Sequence, residues 1–101
     1  MKIEIKNEEN KVCVAIEGRL DTVNAVACEK EFLPLKDNAD KEIVIDCTRL
    51  EYISSSGLRL FLSLRKTVEA KGGKMIVEHI NDEIRNVFTI TGFFKLFDIR
   101  P

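Results

Sequence analysis

The sequence lacks most of what common chemistries need. It has no tryptophan and one histidine, His79. A histidine-based metal cage is therefore excluded, and a histidine-centred triad would depend wholly on that residue. The three cysteines, Cys13, Cys28 and Cys47, are odd in number and have no CxxC spacing. They form neither a disulfide framework nor a zinc pattern. Each lies among apolar neighbours, which predicts small buried hydrophobes in a reducing compartment. The five glycines include no GxGxxG phosphate loop, and Gly72-Gly73 reads as a helix stop. No Gly-x-Ser-x-Gly elbow exists, since residues 53–57 read ISSSG. No apolar run approaches the roughly 20 residues needed to cross a bilayer. The N-terminal MKIEIKNEENK has no apolar signal-peptide core. Neither sign of charge dominates: 16 Lys and Arg face 17 Asp and Glu, a formal net charge of −1. That balance argues against a basic nucleic-acid footprint and against an acidic disordered tail.

What is present is an ordinary globular chain: 101 residues, 45% of them hydrophobic. The length fits a single domain over residues 1–101. The expectation is a soluble, cytoplasmic protein that neither binds nucleic acid nor inserts in a membrane.

Residues 2–6 (KIEIK) alternate strictly and residues 11–18 (KVCVAIEG) are rich in β-branched side chains. The short NEEN link makes them an antiparallel hairpin. The period then becomes helical. Asp21 or Thr22 caps a first helix whose inner stripe is Ala25, Cys28, Phe32 and Leu35, with an end near Leu33 because Pro34 follows. Residues 42–48 (EIVIDCT) read as a strand buried on both faces, and RLEYISSS as a loop. A second helix runs from about Ser56 to Lys71, then a strand through KMIVEHI. Asn81 caps a third helix with Ile84, Val87, Phe88 and Thr91 inside, and FFKLFDI at 93–99 reads as a last strand. The order ββαβαβαβ implies an α/β domain whose core sheet is parallel after the hairpin.

The informative stretch is ISSSGLRLFL, residues 53–62. Its three serines end a loop and open a helix, where one would suffice as a cap. They lie beyond the C-terminal end of a buried parallel strand, the usual place for a binding crevice in open α/β sheets. The helix carries Leu58, Leu60, Phe61, Leu62 and Leu64, wider than a single inner stripe. The excess is available to a partner.

Three segments together resemble the STAS domain, specifically the stand-alone anti-sigma factor antagonists. They are GRLD at 18–21, IVIDCTRLEYISSSGLRLFL at 43–62 and VFTITGFFKLFDI at 87–99. The resemblance implies a STAS-like fold, a mixed sheet with an N-terminal hairpin and helices packed on it. It implies no catalysis, no cofactor and no metal. It implies a partner-switching role: the unphosphorylated antagonist sequesters an anti-sigma factor serine kinase, phosphorylation releases it, and a metal-dependent serine phosphatase reverses the mark. The family's phosphoacceptor, the first serine of Ser-Ser-Gly, falls on Ser55. The preceding position, often Asp in the family, is Ser54 here, which makes Ser54 the second choice. The partner surface implied is Asp21, Ser54, Ser56, Gly57, Leu58 and Arg59. Asp21 has two readings, a neighbour of the acceptor loop or only the first helix cap. Gly57 also has two, room for a docking kinase or close packing of helix on sheet. Asp46 matches an acidic position at the end of the third strand and reads as structural. The alternative function is a STAS scaffold or subunit of a membrane transport complex without a phosphoswitch. A hydrolase built on Ser55 and His79 is disfavoured, because no orienting acid is evident.

Overall fold

The computed structural model describes residues 1–101. The hairpin forms from β1 (Lys2–Asn7) and β2 (Lys11–Leu20), paired antiparallel. Helix α1 (Thr22–Asp37) leads to β3 (Glu42–Asp46) and β4 (Leu50–Ile53). Helix α2 (Ser55–Ala70), β5 (Lys74–Glu78), α3 (Asp82–Ile90), a short 3₁₀ turn (Phe93–Leu96) and β6 (Asp98–Arg100) complete the chain. The main sheet has the order β1-β2-β3-β5-β6, and β4 joins β2 off this path. All pairs after the hairpin are parallel. The α/β class and the mixed sheet therefore match the expectation.

Four local features differ from the sequence reading. The stretch read as a loop contains β4, which pairs with the end of β2. Gly18, at φ +99°, sits at a register shift in β2. A side chain there would be strained. Up to Ala15 the strand pairs with β3, and from Gly18 to Leu20 it pairs with β4. Second, α1 runs through Pro34 to Asp37. Continuing the helix buries Leu35, which is 2% exposed beside Phe32, and that burial outweighs the lost backbone bond and the ring clash. Third, α2 begins at Ser55, with Ser54 as its cap. Fourth, Phe93–Leu96 form a 3₁₀ turn, and only Asp98–Arg100 pair as a strand with β5.

The parallel registers place Val12, Ile43 and Met75 in one row and Val14, Ile45 and Val77 in the next. Both rows face the helices and join the main core. Phe61 of α2 is fully buried at its centre, with ring centroids 6.2 Å from Phe32 of α1, 6.4 Å from Phe88 of α3 and 6.4 Å from Phe97. One ring thus ties three helices to the sheet edge, with burial worth about 3 kcal/mol. Asn81 caps α3 by accepting from the Ile84 N–H at 2.8 Å, and its amide donates to the Leu50 carbonyl at 3.2 Å. That second bond ties α3 to β4.

Candidate functional site

The site is built where β2 and β4 end side by side. Leu20 of β2 pairs with Ile53 of β4. The chain then leaves each strand into a helix, Asp21 opening α1 and Ser54 opening α2. The two starts are joined by one hydrogen bond, the Ser54 N–H donating to the Leu20 carbonyl at 2.8 Å. Asp21 is thereby held next to the serine loop. Its carboxylate also accepts from the Asn24 N–H at 2.8 Å, so capping of α1 and proximity to the serines are both real features of one residue.

The three serines are not equivalent. Ser54 is 8% exposed, and its hydroxyl oxygen accepts from the Gly57 N–H at 3.2 Å. It is the cap of α2. Ser55, the first helical residue, is exposed, and Ser56 is half-buried. By helix geometry the N–H groups of Ser55 and Ser56 have no acceptor within the helix. Together with the aligned peptide dipoles they make this end hospitable to an anion.

Gly57 and Leu58 turn inward. A β-carbon on Gly57 would lie 2.8 Å from Ile53 Cγ1 and 2.8 Å from Leu20 Cγ. Of its two readings, close packing is the one the geometry supports. Leu58 is 1% exposed and belongs to the core. Neither presents a side chain to a partner, contrary to expectation, because the inner stripe of α2 begins at these positions. Leu60 and Leu62 are half-buried rather than open, so the breadth of the apolar face is largely covered. Arg59, one turn after Ser55, is exposed and makes no ion pair, whereas Arg65 is engaged by Glu69 at 2.8 Å.

Three further features escape sequence reasoning. The Leu20 carbonyl carries no side-chain signal, yet it fixes the serine loop. Arg19 stacks over the Tyr52 ring at 4.4 Å across the β2–β4 pair. A groove of about 220 Å³ between α1 and α2 is lined by Glu29, Phe32, Lys36, Arg59, Leu60 and Ser63. Asp46 accepts from both the N–H and the hydroxyl of Thr48. It fastens the turn after β3, the structural role read for it. His79 closes β5 at φ +61° and its N–H donates to the Arg100 carbonyl; no hydrogen bond joins it to a serine. No three His, Cys, Asp or Glu side chains come together as a metal site. Burial pushes the Cys28 and Cys47 thiols up to about 12, with Glu31 and Asp46 respectively adding to the shift. Such thiols are inert at neutral pH. No helix is long and apolar enough to cross a membrane.

Comparison with known proteins agrees with this geometry. BtrV of Bordetella bronchiseptica, named as a candidate anti-sigma factor antagonist, is 29% identical over 99 residues, covering 98% of this chain and 85% of its own. The anti-sigma-B factor antagonist of Bacillus subtilis is 29% identical over 100 residues, covering 98% and 90%. Among solved structures, a candidate antagonist of Thermotoga maritima superposes with a TM-score of 0.88 at 20% identity, covering 98% of this chain and 86% of that one. SpoIIAA of Bacillus, solved in its phosphorylated form, superposes with a TM-score of 0.74 at 20% identity, covering 97% and 90%. These structures share the fold. The family model described as the STAS domain matches residues 2–101. With a serine-bearing helix start stitched to the end of β2, and a family match across nearly its whole length, the chain belongs to the STAS domain family.

Proposed function

We propose that this chain is an anti-sigma factor antagonist, a binding module switched by phosphorylation of Ser55. One observation carries the choice of residue. Ser54 is buried and its oxygen is occupied as a helix cap, while Ser55 beside it is exposed. A kinase reaches the second hydroxyl without opening the first turn. The names of the two relatives, an anti-sigma-B factor antagonist and a candidate antagonist, support the partner class. The state in which SpoIIAA was solved supports the modification.

In this reading the unphosphorylated chain sequesters an anti-sigma serine kinase. The Ser55 hydroxyl then attacks the γ-phosphoryl group of ATP held by that kinase. ADP leaves, and the hydroxyl proton passes to a base of the kinase. The phosphate brings about −1.5 to −2 charges and three acceptor oxygens. At the start of α2 these meet free N–H groups and the favourable end of the helix dipole, so the fold tolerates them. The effect falls on the interface, where a doubly charged group would be desolvated against the docked partner. A metal-dependent serine phosphatase restores the binding form. Asp21, Ser56 and Arg59 frame Ser55 and are the side chains offered to the partner.

The test is incubation with the candidate anti-sigma kinases of the source genome and ATP, followed by site-mapping mass spectrometry. A single phosphate on Ser55 is expected. Phosphate on none of Ser54, Ser55 and Ser56 would overturn the switch and favour a STAS scaffold in a transport complex.

A further inference from the structure

Helix α1 is apolar on two sides. Its inner side is Ala25, Cys28, Phe32 and Leu35. Its outer side carries Val23, Val26 and Leu33, which are 81%, 63% and 56% exposed. At 3.6 residues per turn, Val26 and Leu33 lie within about 20° of each other, and Val23 is about 60° away. Single exposed hydrophobes need no explanation. Here, however, three of the chain's six exposed large hydrophobic residues share one helix face. Nothing in the chain covers them.

The position of this stripe matters. Glu29 lies between Val26 and Leu33 along α1, and it lines the 220 Å³ groove against α2. Across the groove stand Arg59, Leu60 and Ser63, and one turn back from Arg59 is Ser55. At the other end, Val23 lies in the first turn of α1, whose start is tied to that of α2 by the Ser54–Leu20 hydrogen bond. The stripe, the groove and Ser55 are therefore one continuous surface.

We propose that the docking surface for the anti-sigma partner extends over this outer face of α1, and that the partner presents an apolar ridge with an adjoining carboxylate. The ridge covers Val23, Val26 and Leu33. The carboxylate meets Arg59, the cation in the groove without an ion pair, while the Lys36 Nζ is engaged by the Ser63 hydroxyl at 3.1 Å. The inference rests on the antagonist reading and extends it from one serine to a whole interface. Area decides the occupant. Three side chains offer a few hundred Å², whereas a specific interface covers about 800 Å² on each partner. The stripe alone is too small for a second copy of this chain. The stripe joined to the groove and the Ser55 helix start is large enough for one partner. Phosphate on Ser55 then acts twice. It repels the partner's carboxylate, and it competes for Arg59 from one turn away.

The test uses the full chain, and as probe the anti-sigma kinase that phosphorylates Ser55. Calorimetric titrations compare wild type, the double variant Val26→Asp/Leu33→Asp, and Ser55→Asp, with circular-dichroism melts and sedimentation velocity on each. The double variant is expected to bind at least tenfold more weakly, with an unchanged sedimentation coefficient and a midpoint within a few degrees of wild type. If it fails to fold, Val26→Gln/Leu33→Gln is expected to show the same loss. Wild-type affinity in a folded double variant, with Ser55→Asp still defective, overturns the α1 surface and leaves the switch standing. Wild-type affinity in both overturns the switch as well. A wild-type dimer that the double variant dissociates assigns the stripe to self-association and overturns the proposal.

Discussion

Gly57 and Leu20 approach so closely that a β-carbon on the glycine would lie 2.8 Å from Leu20 Cγ. Ile53 Cγ1 is equally near. The start of α2 is thus pressed onto the ends of β2 and β4, and this contact sets where Ser55 stands.

That contact makes Gly57→Ala a test of packing. Alanine gains about 1 kcal/mol of helix propensity over glycine. Forcing a methyl group into a filled site costs about 1–3 kcal/mol. The expected balance is a destabilisation of about 1 kcal/mol, a fall of roughly 4–8 °C in a domain of this size. Thermal melts check it, and a rise in midpoint would show that the glycine serves something other than packing.

Adjacent serines should separate stability from modification. Ser54→Ala removes a helix cap and should lose about 1 kcal/mol, while phosphate is still placed on Ser55. Ser55→Ala should melt with wild type and accept no phosphate. Denaturant titration with intact-mass analysis after kinase treatment reads both quantities on the same samples.

Asn81 holds α3 in two ways, accepting from the Ile84 N–H and donating to the Leu50 carbonyl. Asn81→Ala loses both and should cost about 2 kcal/mol. Asn81→Ser keeps a cap oxygen and should recover roughly half of that. Equal losses in the two variants would mean that the tie to β4, not the cap, dominates.

The cysteines give a pH prediction with a definite sign. Burial raises the Cys28 and Cys47 thiols from 9.0 to about 12. The folded state thus favours the neutral thiol. The associated stability is fully present below pH 9 and is lost as pH rises from 9 toward 12, because the unfolded chain ionises first. Denaturant midpoints should fall over that window. In the native protein at pH 8, a disulfide reagent should label Cys13, the half-buried one, well before the other two.

How far the sequence discloses this molecule can be argued from particular residues. The hairpin, the inner stripes of all three helices and the Asn81 cap are legible because each is written locally, in periodicity and cap chemistry. Strand β4 is not, since LEYI is four residues long and becomes a strand only by pairing with β2 beyond the Gly18 irregularity. The end of α1 is obscured by Pro34, whose local penalty is overridden by burial of Leu35. The serine cluster is visible as a motif, but the division of labour within it is not. Which serine caps and which is exposed depends on where the helix starts, and the Leu20 carbonyl that anchors the loop has no signature in the sequence. Leu58 shows the same limit, being adjacent to the motif yet turned into the core.

The central claim is that phosphate on Ser55 acts on the partner and not on the fold. Calorimetric titration of the anti-sigma kinase with wild type and with Ser55→Asp, alongside thermal melts of both chains, tests it most directly. The account predicts at least a hundredfold loss of affinity in Ser55→Asp with a melting midpoint within about 2 °C of wild type, since a charge at a helix N-terminus contributes only about 0.3–1 kcal/mol and in the favourable direction. Wild-type affinity in Ser55→Asp, or a loss of binding that tracks an unfolded chain, would contradict it.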